Sequence, residues 1–95
     1  MDLANKDGST PLLVAAMEGH EAVVVTLLAK GALVDKADNE GSAPLHAAAA
    51  MGHEAVVEKL LAQGAQTELR FQGLTALEIA ERQGHASVVA MLTAK

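Results

Sequence analysis

The sequence predicts an all-α repeat protein in which short helix–turn–helix units stack side by side and loops join them. Two observations support this prediction. Residues 2–34 match residues 35–67 at 19 of 33 positions without a gap, and segment 19–24 (GHEAVV) recurs at 52–57 and, altered, at 84–89. Such a regular period is typical of stacked repeats. We therefore expect function on the surface of the stack and not in one central pocket.

The composition limits both the kind of core that the chain can form and the classes of function that it can have. Half of the 95 residues are apolar, but Phe71 is the only aromatic residue and cysteine is absent, so the core must be aliphatic. The net charge of −5 argues against sequence-independent binding to nucleic acid, because Lys and Arg supply most of that affinity. No apolar run approaches the roughly 18 residues of a membrane span, and we expect no signal segment and no disulfide or thiolate zinc site. The expectation is a soluble intracellular protein, in the cytoplasm or nucleus.

Each unit is expected to begin with a short first helix. Thr10 followed by Pro11 is a helix start, because the hydroxyl caps free N–H groups and proline at the first helical position loses no hydrogen bond. The second unit has Ala43 in the capping position, which costs about 1 kcal/mol. A glycine just past the end stops each helix. The predicted first helices are Pro11–Glu18, Pro44–Met51 and Ala76–Gln83.

A second helix follows in each unit, predicted at Glu21–Ala29, Glu54–Ala62 and roughly Ser87–Ala94. A glutamate in the first turn of the first two complements the helix dipole. Their valines and leucines fall at i, i+1, i+4 and i+5 and form one apolar face. Helices this short are marginal alone, so their stability must come from stacking on the neighbouring unit.

These landmarks resemble the ankyrin repeat. The resemblance lies in segment 41–49 (GSAPLHAAA), in the pairs at 52–53 (GH), 56–57 (VV), 60–61 (LL) and 64–65 (GA), and in the 33-residue period. It implies two antiparallel helices per unit and a β-hairpin-like loop that projects at roughly a right angle. The chain is then a single domain over residues 1–95, with units at about 2–34, 35–67 and 68–95.

The third unit departs most from the pattern. Its loop is one residue shorter, around 67–72, and should differ from the preceding loop. Glu78, Glu81 and Thr93 replace residues that an internal unit buries, which indicates that nothing stacks beyond them and that this unit is a C-terminal cap. The first unit shows no such adaptation, and its apolar or uncharged residues at cap positions are Leu3, Leu13, Val14, Val25 and Thr26. Either the natural chain continues there, or this face packs on another molecule.

The histidines are expected to support turns and not to bind a metal. His20, His53 and His85 recur once per unit, and stacked helices lie about 8–10 Å apart, whereas zinc needs nitrogens about 2.0–2.1 Å from one point. We expect each ring to form hydrogen bonds within its own turn. The serines have no nucleophile elbow and the glycines do not have the spacing of a phosphate loop. We therefore expect no enzyme activity, no cofactor and no metal.

The resemblance implies that the loop tips and the first helices form a concave face that binds a protein. Carried over position by position, the partner-binding residues are Lys6, Asp7, Ser9, Asn39, Glu40, Ser42, Phe71, Gln72 and Leu74 at the tips, and Met17, Glu18, Ala50, Met51, Arg82 and Gln83 at the helix ends. The leading hypothesis is a non-catalytic protein-interaction module that binds an unidentified protein. The alternatives are a structural unit that self-associates through the apolar first-unit face, and an engineered scaffold, which the varied framework disfavours.

The sequence allows an alternative role in the fold for three of these predicted partner-binding residues: Phe71, Met17 and Met51. Phe71 is either an exposed anchor for a partner, since aromatic side chains are enriched in interfaces, or a cover that folds back over the last unit. The sequence does not decide between these roles. Met17 and Met51 are expected to be partly buried filler.

Overall fold

The computed structural model describes residues 8–94, and within that range the chain forms six helices. The first helices of the three units are α1 (Pro11–Glu18), α3 (Pro44–Met51) and α5 (Ala76–Gln83), and the second helices are α2 (Glu21–Ala29), α4 (Glu54–Ala62) and α6 (Ala86–Thr93). Five of these helices have the predicted bounds. The last one begins and ends one residue earlier than predicted.

The first helices begin with side-chain caps that differ from unit to unit. Thr10 Oγ1 accepts from Leu13 N at 3.2 Å, and Thr75 and Glu78 cap each other's N–H groups reciprocally. Ala43 has no side-chain oxygen, but its own N–H donates to Nδ1 of His46 at 3.0 Å. The second unit thus keeps half of a capping box, because His46 occupies the position that Glu78 holds in the third unit.

The helices form two layers. The first helices α1, α3 and α5 pack in sequence order, and the second helices α2, α4 and α6 do the same beside them. The shared core is aliphatic, as expected from the composition, and alanines at the centre of the first helices are fully buried. Its largest fully buried side chains include Leu12, Leu45, Leu60, Val56 and Val57.

Adjacent valines in the second helices face opposite neighbours. Val23, Val56 and Val88 occupy equivalent positions and are 47%, 1% and 0% exposed, so this position faces the preceding unit. Val24 and Val57, one residue later, are buried in the first two units and therefore face the following unit. The exposure of Val23 leaves an apolar surface on the outer side of the first unit.

The outer face of the first unit is only partly as predicted. Val25 and Thr26 are exposed and Val14 is half-buried, whereas Leu13 is fully buried and the prediction for it is wrong. Leu13 is equivalent to His46, a position that points into the unit and not toward its outer end. Leu3 lies outside the described residues.

The outer face of the third unit carries polar residues at two positions that are apolar in the earlier units. Glu81 is exposed at the position where Ala16 and Ala49 are fully buried. Thr93 is exposed at the position where Leu28 and Leu61 are half-buried.

The two described loop tips have different hydrogen bonds. In the second unit, Asp38 Oδ1 accepts from the N–H groups of Glu40 and Ser42. In the third unit, Phe71 and Leu74 form an isolated antiparallel bridge, with N···O distances of 2.8 and 3.0 Å. The two residues between them, Gln72 and Gly73, both have positive φ (54° and 81°), which is the geometry of a type I′ hairpin turn. The shorter third loop therefore ends in a tighter tip.

Candidate binding surface

The loop tips and the open side of the first helices form a continuous surface in which adjacent units touch. A Cβ on Gly8 would lie 2.5 Å from Asn39 Oδ1 and 2.9 Å from Asn39 N. Asn39 of the second tip therefore lies directly against Gly8, the first described residue. This contact joins the start of the first unit to the second tip before any partner binds.

Histidine side chains join the units behind this surface. His53 Nε2 donates to the carbonyl oxygen of Met17 at 3.0 Å, and His85 Nε2 donates to that of Ala50 at 3.0 Å. The prediction that each ring stays within its own turn is wrong for these two, because the turn of one unit lies beside the first-helix end of the preceding unit. A Cβ on Gly19 or on Gly52 would lie 2.7 Å from the incoming ring.

His20 has a different environment. Its Nε2 lies 3.1 Å from Glu18 Oε1, and both side chains are exposed.

His46 connects the start of α3 to the third loop. Its Nδ1 accepts from Ala43 N, and its Nε2 lies 2.8 Å from the carbonyl oxygen of Leu69. Since a carbonyl only accepts, the proton is on Nε2 and the ring is neutral. His46 is buried and both ring nitrogens are occupied, so it positions the loop and contributes no charge to the surface.

A groove of about 230 Å³ lies between the second and third units. Its walls come from both loop tips and from α3 and α5, and its lining residues are Ser42, His46, Ala47, Ala50, Phe71, Gln72, Leu74, Ile79, Arg82 and Gln83.

Phe71 and Ile79 give the groove its apolar surface. The Phe71 ring is half-buried, with its centroid 6.0 Å from that of His46 and the ring planes inclined by 38°. Ile79 is buried. Phe71 is therefore neither fully exposed nor fully buried, because one part of its ring lies near His46 and the residue also lines the groove; the choice between its two expected roles stays a prediction.

The two arginines near the third unit have different surroundings. Arg70 Nη1 donates to the Gly73 carbonyl at 2.9 Å and lies 3.7 Å from Glu78 Oε1. Arg82 is exposed and lines the groove, and within residues 8–94 it forms no ion pair. The guanidinium of Arg82 is therefore available to a bound molecule.

The structure brings seven of the predicted partner-binding residues together in this groove: Ser42, Ala50, Phe71, Gln72, Leu74, Arg82 and Gln83. Met17, Glu18, Asn39, Glu40 and Met51 are exposed on the first two units and do not line it, and Ser9 is buried. Met17 and Met51 are 42% and 55% exposed, so each is partly buried and still presents about half of its surface, and the expectation that they act as filler stays a prediction. Both are at or next to the last residue of a first helix. Lys6 and Asp7 lie outside the described residues.

Sequence reasoning missed His46, Ala47 and Ile79 as groove residues. Ala47 and Ile79 are equivalent positions on the first helices, and neither was assigned a role from the sequence. The change from Ala47 to Ile79 between the second and third units was a usable signal, because an added apolar side chain at the edge of the core enlarges the apolar surface beside the loop.

Within residues 8–94, no group of three or more His, Asp or Glu side chains is arranged to hold a metal ion. Over the same range, no helix has the length and apolar character that crossing a membrane requires.

Comparison with known proteins places the repeat pattern in a family. The family model described as ankyrin repeats (3 copies) matches residues 1–71 and 38–95. Among curated proteins, no match to the chain was found.

Proposed function

Because the chain belongs to the ankyrin repeat family, whose members are generally protein–protein interaction modules, we propose that it is a non-catalytic module that binds a protein partner through its loop tips and first helices. The observation that supports this proposal best is the groove between the second and third units. It combines an aromatic side chain, buried aliphatic side chains and an unpaired arginine. Aromatic residues and arginine are enriched where proteins bind each other.

The proposed module is rigid and preformed. The Asn39 contact with Gly8 and the two histidine bonds fix neighbouring units against each other. A preformed surface loses little conformational entropy on binding. The net charge of −5 disfavours nucleic acid as the partner, and we place the protein inside the cell, in the cytoplasm or nucleus, because its sequence has no disulfide framework.

Replacing Phe71 tests this proposal. The wild-type chain, Phe71→Ala and Asn39→Ala are immobilised in equal amounts, and the proteins that each retains from a cell lysate are quantified. We expect Phe71→Ala to retain less than Asn39→Ala, because Phe71 lines the groove and Asn39 does not. Lys6→Ala is a second control. Equal losses in all variants, or loss of the folded state in Phe71→Ala as seen by circular dichroism, would exclude the anchor role.

Self-association through the first unit is the second candidate. The exposure of Val23 favours it, because this valine occupies the position that faces a preceding unit and an exposed apolar side chain there can pack on another molecule. Glu81 opposes head-to-tail stacking, since a following unit would bury its carboxylate where Ala16 and Ala49 are buried in the earlier units. A molecular mass that rises with concentration in sedimentation equilibrium supports self-association, and a constant monomer mass excludes it.

A further inference from the structure

Resting on the proposed function, we propose that the groove between the second and third units binds an extended peptide segment that carries one large apolar side chain next to an Asp or Glu carboxylate. The apolar side chain occupies the space lined by Phe71, Leu74 and Ile79. The carboxylate pairs with Arg82.

The apolar part of the groove is specific to this junction. Phe71 corresponds to Asp38, because Phe71 N donates to Leu74 O as Asp38 N donates to Ser42 O one unit earlier. Leu74 and Ile79 correspond to Ser42 and Ala47, so three small or polar positions have become large and apolar together. The groove volume is about 230 Å³, and an apolar cavity of about 150 Å³ is enough to hold benzene. The space therefore suits one side chain of the size of leucine or phenylalanine.

The charge of the groove comes from Arg82. Within the described residues that line it, Arg82 is the only charged side chain, because His46 is neutral in its hydrogen-bonded form. Arg70 points its donors to Gly73 and Glu78. An exposed guanidinium beside an apolar wall favours a carboxylate, with which it forms charge-assisted hydrogen bonds.

The rest of the chain limits how acidic the partner can be. The concave surface of the first two units carries Glu18 and Glu40, both exposed, and the net charge of the chain is −5. A polyacidic segment would be repelled by this field. One or two carboxylates close to the apolar side chain satisfy Arg82 without that repulsion.

The outer edges of the groove suit a peptide backbone. Gln72 at the loop tip and Gln83 at the end of α5 both line the groove and are exposed. Each amide offers one acceptor and two donors. Two such groups can satisfy the N–H and C=O groups of an extended segment.

Defined peptides test the proposal. The probes are fluorescein-labelled decapeptides with amidated C-termini, built of Gly and Ser around a central Leu or Ala with Glu, Gln or Lys two residues away on both sides. Fluorescence anisotropy gives the Kd of each. We expect the Leu/Glu peptide to bind at least about tenfold tighter than the Leu/Lys and Ala/Glu peptides. The amidated ends ensure that only side-chain carboxylates are measured.

Two variants that each remove one positive charge distinguish the effect of Arg82 in the groove from the effect of the net charge of the whole chain. Arg82→Gln should bind the Leu/Glu and Leu/Gln peptides equally, whereas Lys30→Gln, which changes an exposed cation outside the groove, should keep the preference for Glu. Arg82→Glu should prefer the Leu/Lys peptide. Both positions are exposed, and circular dichroism checks that the variants remain folded.

The outcomes distinguish this inference from the proposed function. Leu peptides that bind equally with Glu, Gln or Lys, and more weakly to Phe71→Ala, would overturn the carboxylate preference and leave the interaction module standing. Equal effects of Arg82→Gln and Lys30→Gln would also overturn it. If no peptide binds but lysate proteins are retained by the wild type and lost by Phe71→Ala, the peptide inference fails alone. If the wild-type chain binds neither the peptides nor any lysate protein, both the peptide inference and the proposed function are overturned.

Discussion

Replacing Gly52 with alanine should destabilise the protein more than the same change at Gly84. Both glycines end a first helix with nearly the same backbone conformation, φ 74° at Gly52 and 76° at Gly84. They differ in what a Cβ would meet. At Gly52 it would lie 2.7 Å from His85 Nδ1, and at Gly84 nothing lies within 4 Å.

The magnitude follows from two contributions. A left-handed backbone costs an L-residue about 1–2 kcal/mol, and this cost is common to both variants. At Gly52 the His85 ring must also move, which breaks its bond to the Ala50 carbonyl, and such a bond contributes about 0.5–1.5 kcal/mol. We therefore expect a loss of about 1.5–3.5 kcal/mol for Gly52→Ala and about 1–2 kcal/mol for Gly84→Ala, so that Gly52→Ala costs about 0.5–1.5 kcal/mol more.

Urea unfolding followed by circular dichroism measures both losses. The effect of alanine on the unfolded chain is the same in the two variants, so it cancels in the comparison. In thermal unfolding each kcal/mol corresponds to a shift of about 4–8 °C for a domain of this size, so the two variants should separate clearly.

A double-mutant cycle identifies the contact responsible. In a His85→Ala background the ring is absent, and Gly52→Ala should then cost no more than Gly84→Ala. The reasoning is refuted if Gly52→Ala and Gly84→Ala are equally destabilising in the wild-type background. It is also refuted if removing His85 leaves the cost of Gly52→Ala unchanged.

Three further predictions concern single residues, and urea unfolding checks each. Ala43→Thr should stabilise by about 1 kcal/mol, because it completes the cap that His46 half provides; no gain would show that the hydroxyl does not reach the helix. His46→Ala should cost about 3 kcal/mol, since it leaves the buried N–H of Ala43 and the partly buried carbonyl of Leu69 without their partner; a loss below about 1 kcal/mol would contradict this. Val56→Ala should cost about 2–3 kcal/mol and Val23→Ala less than about 1 kcal/mol, because only Val56 is buried; equal costs would mean that Val23 is covered in solution.

The helix bounds could be predicted because residues close to each helix end determine where the helix begins and stops. Proline at the first position of α1 and α3, a capping threonine before α5, and a glycine just past the end of each fix the first helices within one unit. All three have the predicted bounds. The last helix has no closing glycine, and its bounds were predicted one residue too late.

Contacts between units were harder to predict. His53 was expected to bond within its own turn, but it reaches Met17 in the preceding unit, and a repeat period does not reveal how far one unit is rotated against the next. Leu13 was expected at an exposed end because it replaces a histidine. His46 shows that this position is buried and that the polar residue there serves as a cap. The groove likewise depends on how the third loop closes over α5, which depends on tertiary packing.

The histidine–carbonyl bonds also determine how the binding of a partner is transmitted along the stack. Each joins two adjacent units, so the units are coupled to their nearest neighbours. A ligand in the groove stabilises the second and third units together and reaches the first unit only through its junction with the second. Amide hydrogen exchange should therefore slow most in α3 and α5 and least in α2. The pattern of protection identifies the occupied junction even when the partner itself is unknown.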